Sequence, residues 1–386
     1  MARYLRVLAF CLISVSILGF YCSFYVYPTG FVTRVQLGNQ AQASTSLLAD
    51  LTLGVMSEIY VVSLTQRTER RQEMERLRKY LGLRWAYFPA TSNDSSVIHA
   101  IMQRVKILRE ECEKNGTNCN FAWPGDLNSS ASSMRPLNLW SSDFLTPASL
   151  QLLAETWLSN PVRPLTCTTK DFHIPRYDPK LPLNRLLTPA RVACWHSHLS
   201  VIQLISNEEG LDPWSSVLVL EDDVDMESDI KSQLRNLWPL LPPDWDIVFL
   251  GKPTISLRSI TGFIIMIGHC WSDESKSKPL IGVNQELWNL TRSMLYPSRS
   301  PKCTHAYALT RMGARRLLLH LQYTPFAYSR AIDQAIAWLI ESGRLKGYSV
   351  VPSIVAQRKI VQSDVMPGKG SKWKDHLTNG ILDKAT

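Results

Sequence analysis

The segment Val217-Leu218-Val219-Leu220-Glu221-Asp222-Asp223-Val224 decides how the chain is read. Its aliphatic run, rich in β-branching, follows the breaker group Asp212, Pro213, Ser215 and Ser216, and so predicts a buried strand. The acids Glu221, Asp222 and Asp223 then stand at the strand's C-terminal end, the edge at which open α/β sheets bind ligands. Adjacent carboxylates repel one another unless a cation sits among them. Hard oxygen ligands suit Mg²⁺ or Mn²⁺, ions that keep open positions for phosphate oxygens, so the stretch predicts a metal-bridged diphosphate. The competing reading is a solvated acidic turn behind a core strand, and the rest of the chain has to decide between the two.

Strand and helix patterns alternate on both sides of this segment. Residues 59–64 read as a strand, 65–81 as a helix with Met74, Leu77, Tyr80 and Leu81 at helical spacing, and 84–89 as a second strand. This β-α-β order predicts a parallel pair. Arg67, Arg70 and Arg71 crowd the start of the helix, where basic side chains oppose the macrodipole unless an anion lies nearby. A solvated helix face is the alternative account of at least two of them. Residues 93–187, rich in Pro and Ser, read as an inserted, partly helical region with helical patterns at 98–112 and 147–158. Thr188 then caps a helix opened by Pro189 and continued through 193–205. Downstream, 229–240 predicts a helix stopped by Pro242 and Pro243. Residues 246–250, 262–267 and 304–309 predict strands, 312–321 and 329–340 helices, and 348–351 a last strand. The tail is rich in Lys and Gly, and residues 366–386 are expected to be loosely ordered.

With 386 residues, 45% of them hydrophobic, the chain can enclose a substantial core. Its net charge of +9 does not point to nucleic acid, because Lys and Arg are scattered and no recognition-helix or RNP-like pattern occurs. The same charge suits nucleotide phosphates or an anionic lumenal surface. Arg3 and Arg6 precede an uncharged run at 7–27, long enough to cross a bilayer. Tyr21, Phe24, Tyr25 and Tyr27 extend that run like an interfacial belt, which favours a signal anchor over a cleaved signal peptide. Residues 1–6 are then cytoplasmic, 28–57 a stem, and the remainder lumenal. Sequons at Asn93, Asn115, Asn128 and Asn289 agree with a lumenal location. So do Cys112, Cys119, Cys167, Cys194, Cys270 and Cys303, an even set compatible with three disulfides, with burial as free thiols the alternative.

Several of these stretches occur in an order that resembles glycosyltransferase family 25, which includes bacterial lipooligosaccharide and collagen galactosyltransferases. They are Ile59-Tyr60-Val61-Val62-Ser63-Leu64 with Arg67 and Arg71; Ala193-Cys194-Trp195-His196-Ser197-His198; and Val219-Leu220-Glu221-Asp222-Asp223-Val224. Further along come Cys303-Thr304-His305-Ala306-Tyr307-Ala308-Leu309, Gly313-Ala314, Ile332-Asp333, Val351-Pro352 and Gln362-Ser363-Asp364-Val365. The resemblance covers 58–365 and implies a GT-A type α/β fold with a mostly parallel sheet. Residues 93–187 depart from the compact bacterial pattern.

On that resemblance Glu221 and Asp223 are the outer positions of a DxD-like motif, and Glu221, Asp222, Asp223 and His305 are expected around Mn²⁺ or Mg²⁺. Asp222 is also expected on the donor ribose. Ser63, Arg67, Arg71, Ser197 and His198 are expected near the nucleotide sugar. Asp333, then Asp364, are the candidate bases for deprotonating an acceptor hydroxyl. The function expected is inverting transfer of galactose from UDP-galactose to a glycan or glycoprotein, by a type II protein of the Golgi or endoplasmic reticulum membrane. The alternative is an inactive relative that binds glycan or protein. A metal-independent glycosidase is disfavoured, because acids on one turn cannot flank a glycosidic bond from opposite sides.

Overall fold

The computed structural model describes residues 50–114, 146–159, 163–169, 173–208, 210, 212–251, 278–280, 293–358 and 377–382. The chain divides into Met1–Thr45 and Ser46–Thr386. The expected anchor at 7–27 and the expected strand at 262–267 lie outside the described residues. Among the described residues no helix is long and apolar enough to cross a membrane.

In chain order the elements are β1 (Glu58–Ser63), α1 (Thr68–Leu81), β2 (Ala86–Pro89), α2 (Ser96–Lys114), α3 (Pro147–Ser159), α4 (Pro189–Asn207), β3 (Ser216–Glu221) and β4 (Val224–Met226). They continue with α5 (Ile230–Leu237), β5 (Ile247–Phe249), β6 (Met294–Pro297), β7 (Ala306–Thr310), α6 (Arg311–Gln322), α7 (Ile332–Glu341), β8 (Gly347–Val351) and β9 (Val355–Gln357). The main sheet has the order β2-β1-β3-β7-β5-β8-β6. β1 is parallel to β2 and β3, β5 is parallel to β8, β7 is antiparallel to β3 and β5, and β6 is antiparallel to β8. Thus β2, β1, β3, β5 and β8 share one direction, and the sheet is mostly parallel as expected.

The apolar run of β3 is continuous because both faces of the strand are covered. Successive side chains point to opposite faces, so Val217 and Val219 enter one core cluster with Trp195, Ile202 and Leu317, while Leu218 and Leu220 enter the other with Met74, Leu77 and Leu234. α4 packs in the first of these layers and is buried nearly all round. Its Thr188 cap accepts the Arg191 N–H, with Pro189 in the first turn. At the other end of β5, Gly313 lets α6 approach the sheet, since a Cβ there would lie 2.2 Å from the Asp246 carbonyl oxygen.

Two expectations need correction. The region 93–187 is not purely an insertion: Ile98, Ile101, Met102 and Val105 of α2 are buried in the main core, and α2 serves as the helix that follows β2. The tail expected to be loosely ordered docks at 377–382, where Leu377, Ile381 and Leu382 are buried. Their backbone N–H groups find acceptors on two buried acids: Thr378 and Asn379 donate to Glu227, and Ile381 and Leu382 donate to Asp225. The short strands β4, β6 and β9 were also not foreseen; β4 and β9 form a separate antiparallel ribbon in which Val224 faces Gln357.

Candidate functional site

Strand direction brings the candidate residues to one edge. The C-terminal ends of β1, β3 and β5 meet the N-terminal end of the antiparallel β7, and the Glu221 N–H donates to the His305 carbonyl at 2.9 Å. Asp222 and Asp223 form the turn into β4, and the β4–β9 ribbon brings Gln357 over them.

The acids are held by side chains from four directions. A single nitrogen of Arg70, Nη1, donates to Asp222 Oδ1 at 3.0 Å and to Asp223 Oδ2 at 3.2 Å. The Gln357 amide lies 3.3 Å from Glu221 Oε2 and 3.3 Å from each Asp223 oxygen. The Thr304 hydroxyl donates to Glu221 Oε1 at 2.8 Å. His198 Nε2 is 3.4 Å from the same oxygen, and its Nδ1 is 3.0 Å from the Tyr307 hydroxyl. An ionised Glu221 can only accept, so Nε2 carries a proton toward it, while the Tyr307 hydroxyl can donate to or accept from Nδ1. The Asp223 backbone is fixed as well: its carbonyl accepts the Arg358 N–H at 2.6 Å, and Arg358 Nη1 reaches Glu73 Oε2 at 2.8 Å.

The two outer acids titrate in opposite directions. Burial works to raise Glu221, but His198, His305 and Thr304 outweigh it and hold the carboxyl well below its ordinary value. Asp223, by burial and by the neighbouring Glu221, is pushed up in spite of Arg70. Positive charge is therefore in short supply around Asp223. Among the described residues no group of three or more His, Cys, Asp and Glu side chains is arranged to hold a metal ion. The ligand chemistry still fits one at Asp222 and Asp223, whose hard carboxylate oxygens meet at a point now taken by Arg70 Nη1.

Asp333 lies in the first turn of α7, where its Oδ1 accepts the Gln334 N–H at 2.8 Å. Burial raises its carboxyl above the ordinary range, opposed by the N–H groups of Gln334 and Cys303 and by Arg191 and Lys302. Consecutive residues thus hold the two halves of the site, Cys303 through its N–H to Asp333 and Thr304 through its hydroxyl to Glu221. Cys194 lies within electrostatic reach of Glu221, Asp333 and Asp223, and burial first, then these acids, hold its thiol far up and neutral.

The sequence-predicted residues divide accordingly. Glu221, Asp222, Asp223, His198 and His305 gather at the edge; the His305 ring packs against Gly251, where a Cβ would lie 2.0 Å from Nε2. Ser63, Arg71 and Ser197 are engaged within the fold instead. Ser63 is buried, with its Oγ accepting from Arg71 Nε at 3.0 Å, while the Arg71 guanidinium covers the Tyr87 ring at 4.8 Å. Ser197 donates to the Ala193 carbonyl at 2.7 Å and accepts the Thr91 N–H at 2.8 Å, stitching α4 to the loop after β2. Arg67 is half-buried at the start of α1, and Asp364 lies outside the described residues. Missed in the sequence were Gln357, which ends a strand too short to show a period, and Tyr307, which reads as a core aromatic. Arg70 did carry a signal, since its position in the first turn of a helix calls for an anion. The three-disulfide expectation also fails: Cys167 and Cys194 are free thiols, and Cys303 is disulfide-bonded.

A mostly parallel α/β sheet with carboxylates gathered at one edge defines the class of the fold. Residues 169–336 match the family described as Glycosyltransferase family 25 (LPS biosynthesis protein). The match includes the acid turn, the 303–305 segment and Asp333. It leaves out β1 and β2, which the structure joins to β3 in one sheet. It supports glycosyltransferase activity in general, with a nucleotide-sugar donor and an acceptor as partners. No curated protein matches the chain.

Proposed function

We propose that the chain transfers galactose from UDP-galactose to a hydroxyl of a glycan or glycoprotein, with inversion, as a type II protein of the Golgi or endoplasmic reticulum. The observation that carries this reading is the joining of Glu221 and Asp333 through the neighbours Thr304 and Cys303, inside the family-matched segment. It sets an acidic donor edge beside a carboxylate of raised basicity. Asp222 and Asp223 would hold Mn²⁺ or Mg²⁺, which supplies Lewis acidity toward the leaving diphosphate. Glu221, fixed by His198 and Thr304, keeps the turn in place. Asp333 takes the proton of the acceptor hydroxyl as its oxygen bonds to the anomeric carbon and the bond to the diphosphate breaks. The run at 7–27 and the exposed sequon at Asn93 support the lumenal orientation.

The test is to incubate the purified full chain with Mn²⁺, a panel of nucleotide sugars and glycan acceptors, and to read UDP release and product linkage. UDP release and a β-linked galactose are expected. Release with no sugar of the panel would overturn the reading, and an α-linked product would remove the inverting base.

A further inference from the structure

The proposed donor site contains a cation of its own. Arg70 extends from the first turn of α1 and places one nitrogen between carboxylates of two different residues, at 3.0 Å from Asp222 and 3.2 Å from Asp223. The bridging position is where a shared cation would be held by the same pair. Its location on α1 is unfavourable for a helix, since the N-terminal end carries partial positive charge, so the carboxylates must supply what holds it there. The neighbouring basic residue Arg71 faces elsewhere, onto Ser63 and Tyr87, which leaves Arg70 as the guanidinium of α1 directed at the acids. Gln357 contributes N–H groups but no charge.

We propose that Arg70 is the resident counter-cation of Asp222 and Asp223, and that Arg70 and a divalent ion exclude one another at this pair. Both need the same oxygens, and a guanidinium cannot deprotonate to make way. A divalent ion therefore enters only as the arginine swings off, and the freed guanidinium is left at the sheet edge beside the phosphates of a donor. The ion-free site keeps its two acids bridged and in place. This inference rests on the metal reading above.

The test measures Mn²⁺ binding to the full chain without nucleotide sugar, from the loss of the free-ion signal in electron paramagnetic resonance. Arg70→Met should bind Mn²⁺ at least about tenfold more tightly than wild type, because a unit charge in direct contact with the ligands has been removed. Arg70→Lys, which keeps the charge, should stay near wild type. Unchanged or weaker binding by a folded Arg70→Met protein would overturn the exclusion and leave the metal reading standing. Absence of Mn²⁺ binding in both proteins would overturn both, while the UDP-release assay would still judge the transferase reading separately. A second measurement needs no variant. Phenylglyoxal should modify Arg70 of the wild-type protein faster with Mn²⁺ present, as read by mass spectrometry of the peptide, and an equal or slower rate would overturn the proposal.

Discussion

The Tyr307 hydroxyl lies 3.0 Å from Nδ1 of His198, whose Nε2 faces Glu221 Oε1 at 3.4 Å. Three residues from β7, α4 and β3 thus form one line of polar contacts. Tyr307→Phe keeps the ring that packs in the core and removes only the hydroxyl. It should cost about 1–3 kcal/mol of stability by leaving Nδ1 unsatisfied. Turnover should also fall, because Glu221 loses its fixed neighbour. Thermal unfolding and UDP release check both effects, and Tyr307→Phe with wild-type values in each would make the line of contacts incidental.

Asp223→Asn should separate activity from stability. The carboxyl is pushed up by burial and by Glu221, so its ionised form is costly in the folded protein. Removing the charge should leave the melting temperature of the metal-free protein equal or higher, while metal-dependent turnover falls by about a hundredfold or more. A variant that unfolds early, or one that turns over normally, contradicts this account.

Asp333 should appear in the pH profile. Burial lifts its carboxyl, and a base works only when ionised, so turnover should fall as pH drops through a value above the ordinary carboxylate range. Asp333→Asn should lower kcat by about a hundredfold and leave UDP affinity nearly unchanged. Loss of UDP binding in parallel with turnover would make Asp333 a structural acid of the first helical turn.

In the core, Leu218 is fully buried between the sheet and α1 and α5, so Leu218→Ala should cost about 2–5 kcal/mol. Chemical denaturation measures this directly. A cost below about 1 kcal/mol would mean that this layer collapses around the missing volume.

What the sequence disclosed and what it hid follow from the range of the interactions. The strand from Val217 to Leu220, the Thr188 cap and the amphipathic helices are local patterns, and they formed where their residues predicted. Strand direction is not local: nothing in 304–309 says that β7 runs against β3, yet that reversal is what carries Thr304 and His305 to the acids. The bonds that Ser63 and Ser197 make within the fold are hidden for the same reason, since a hydroxyl beside a binding site and one held by Arg71 or Thr91 look identical in sequence. The β4–β9 ribbon has strands of three residues each, too short for any alternation to register.

The docking of 377–382 has a consequence for the order of folding. Asp225 and Glu227 follow directly on the acid turn and are buried with carboxylates that need N–H donors; Met226 supplies one to Asp225, and the others come from Thr378, Asn379, Ile381 and Leu382, 151 to 157 residues further along. A chain whose sheet has paired but whose 377–382 segment has not docked still holds two acids short of donors next to the acid turn. Docking of 377–382, not pairing of the sheet, is thus the step that completes the support behind the acid turn, and it is a late step because it joins segments far apart in the chain.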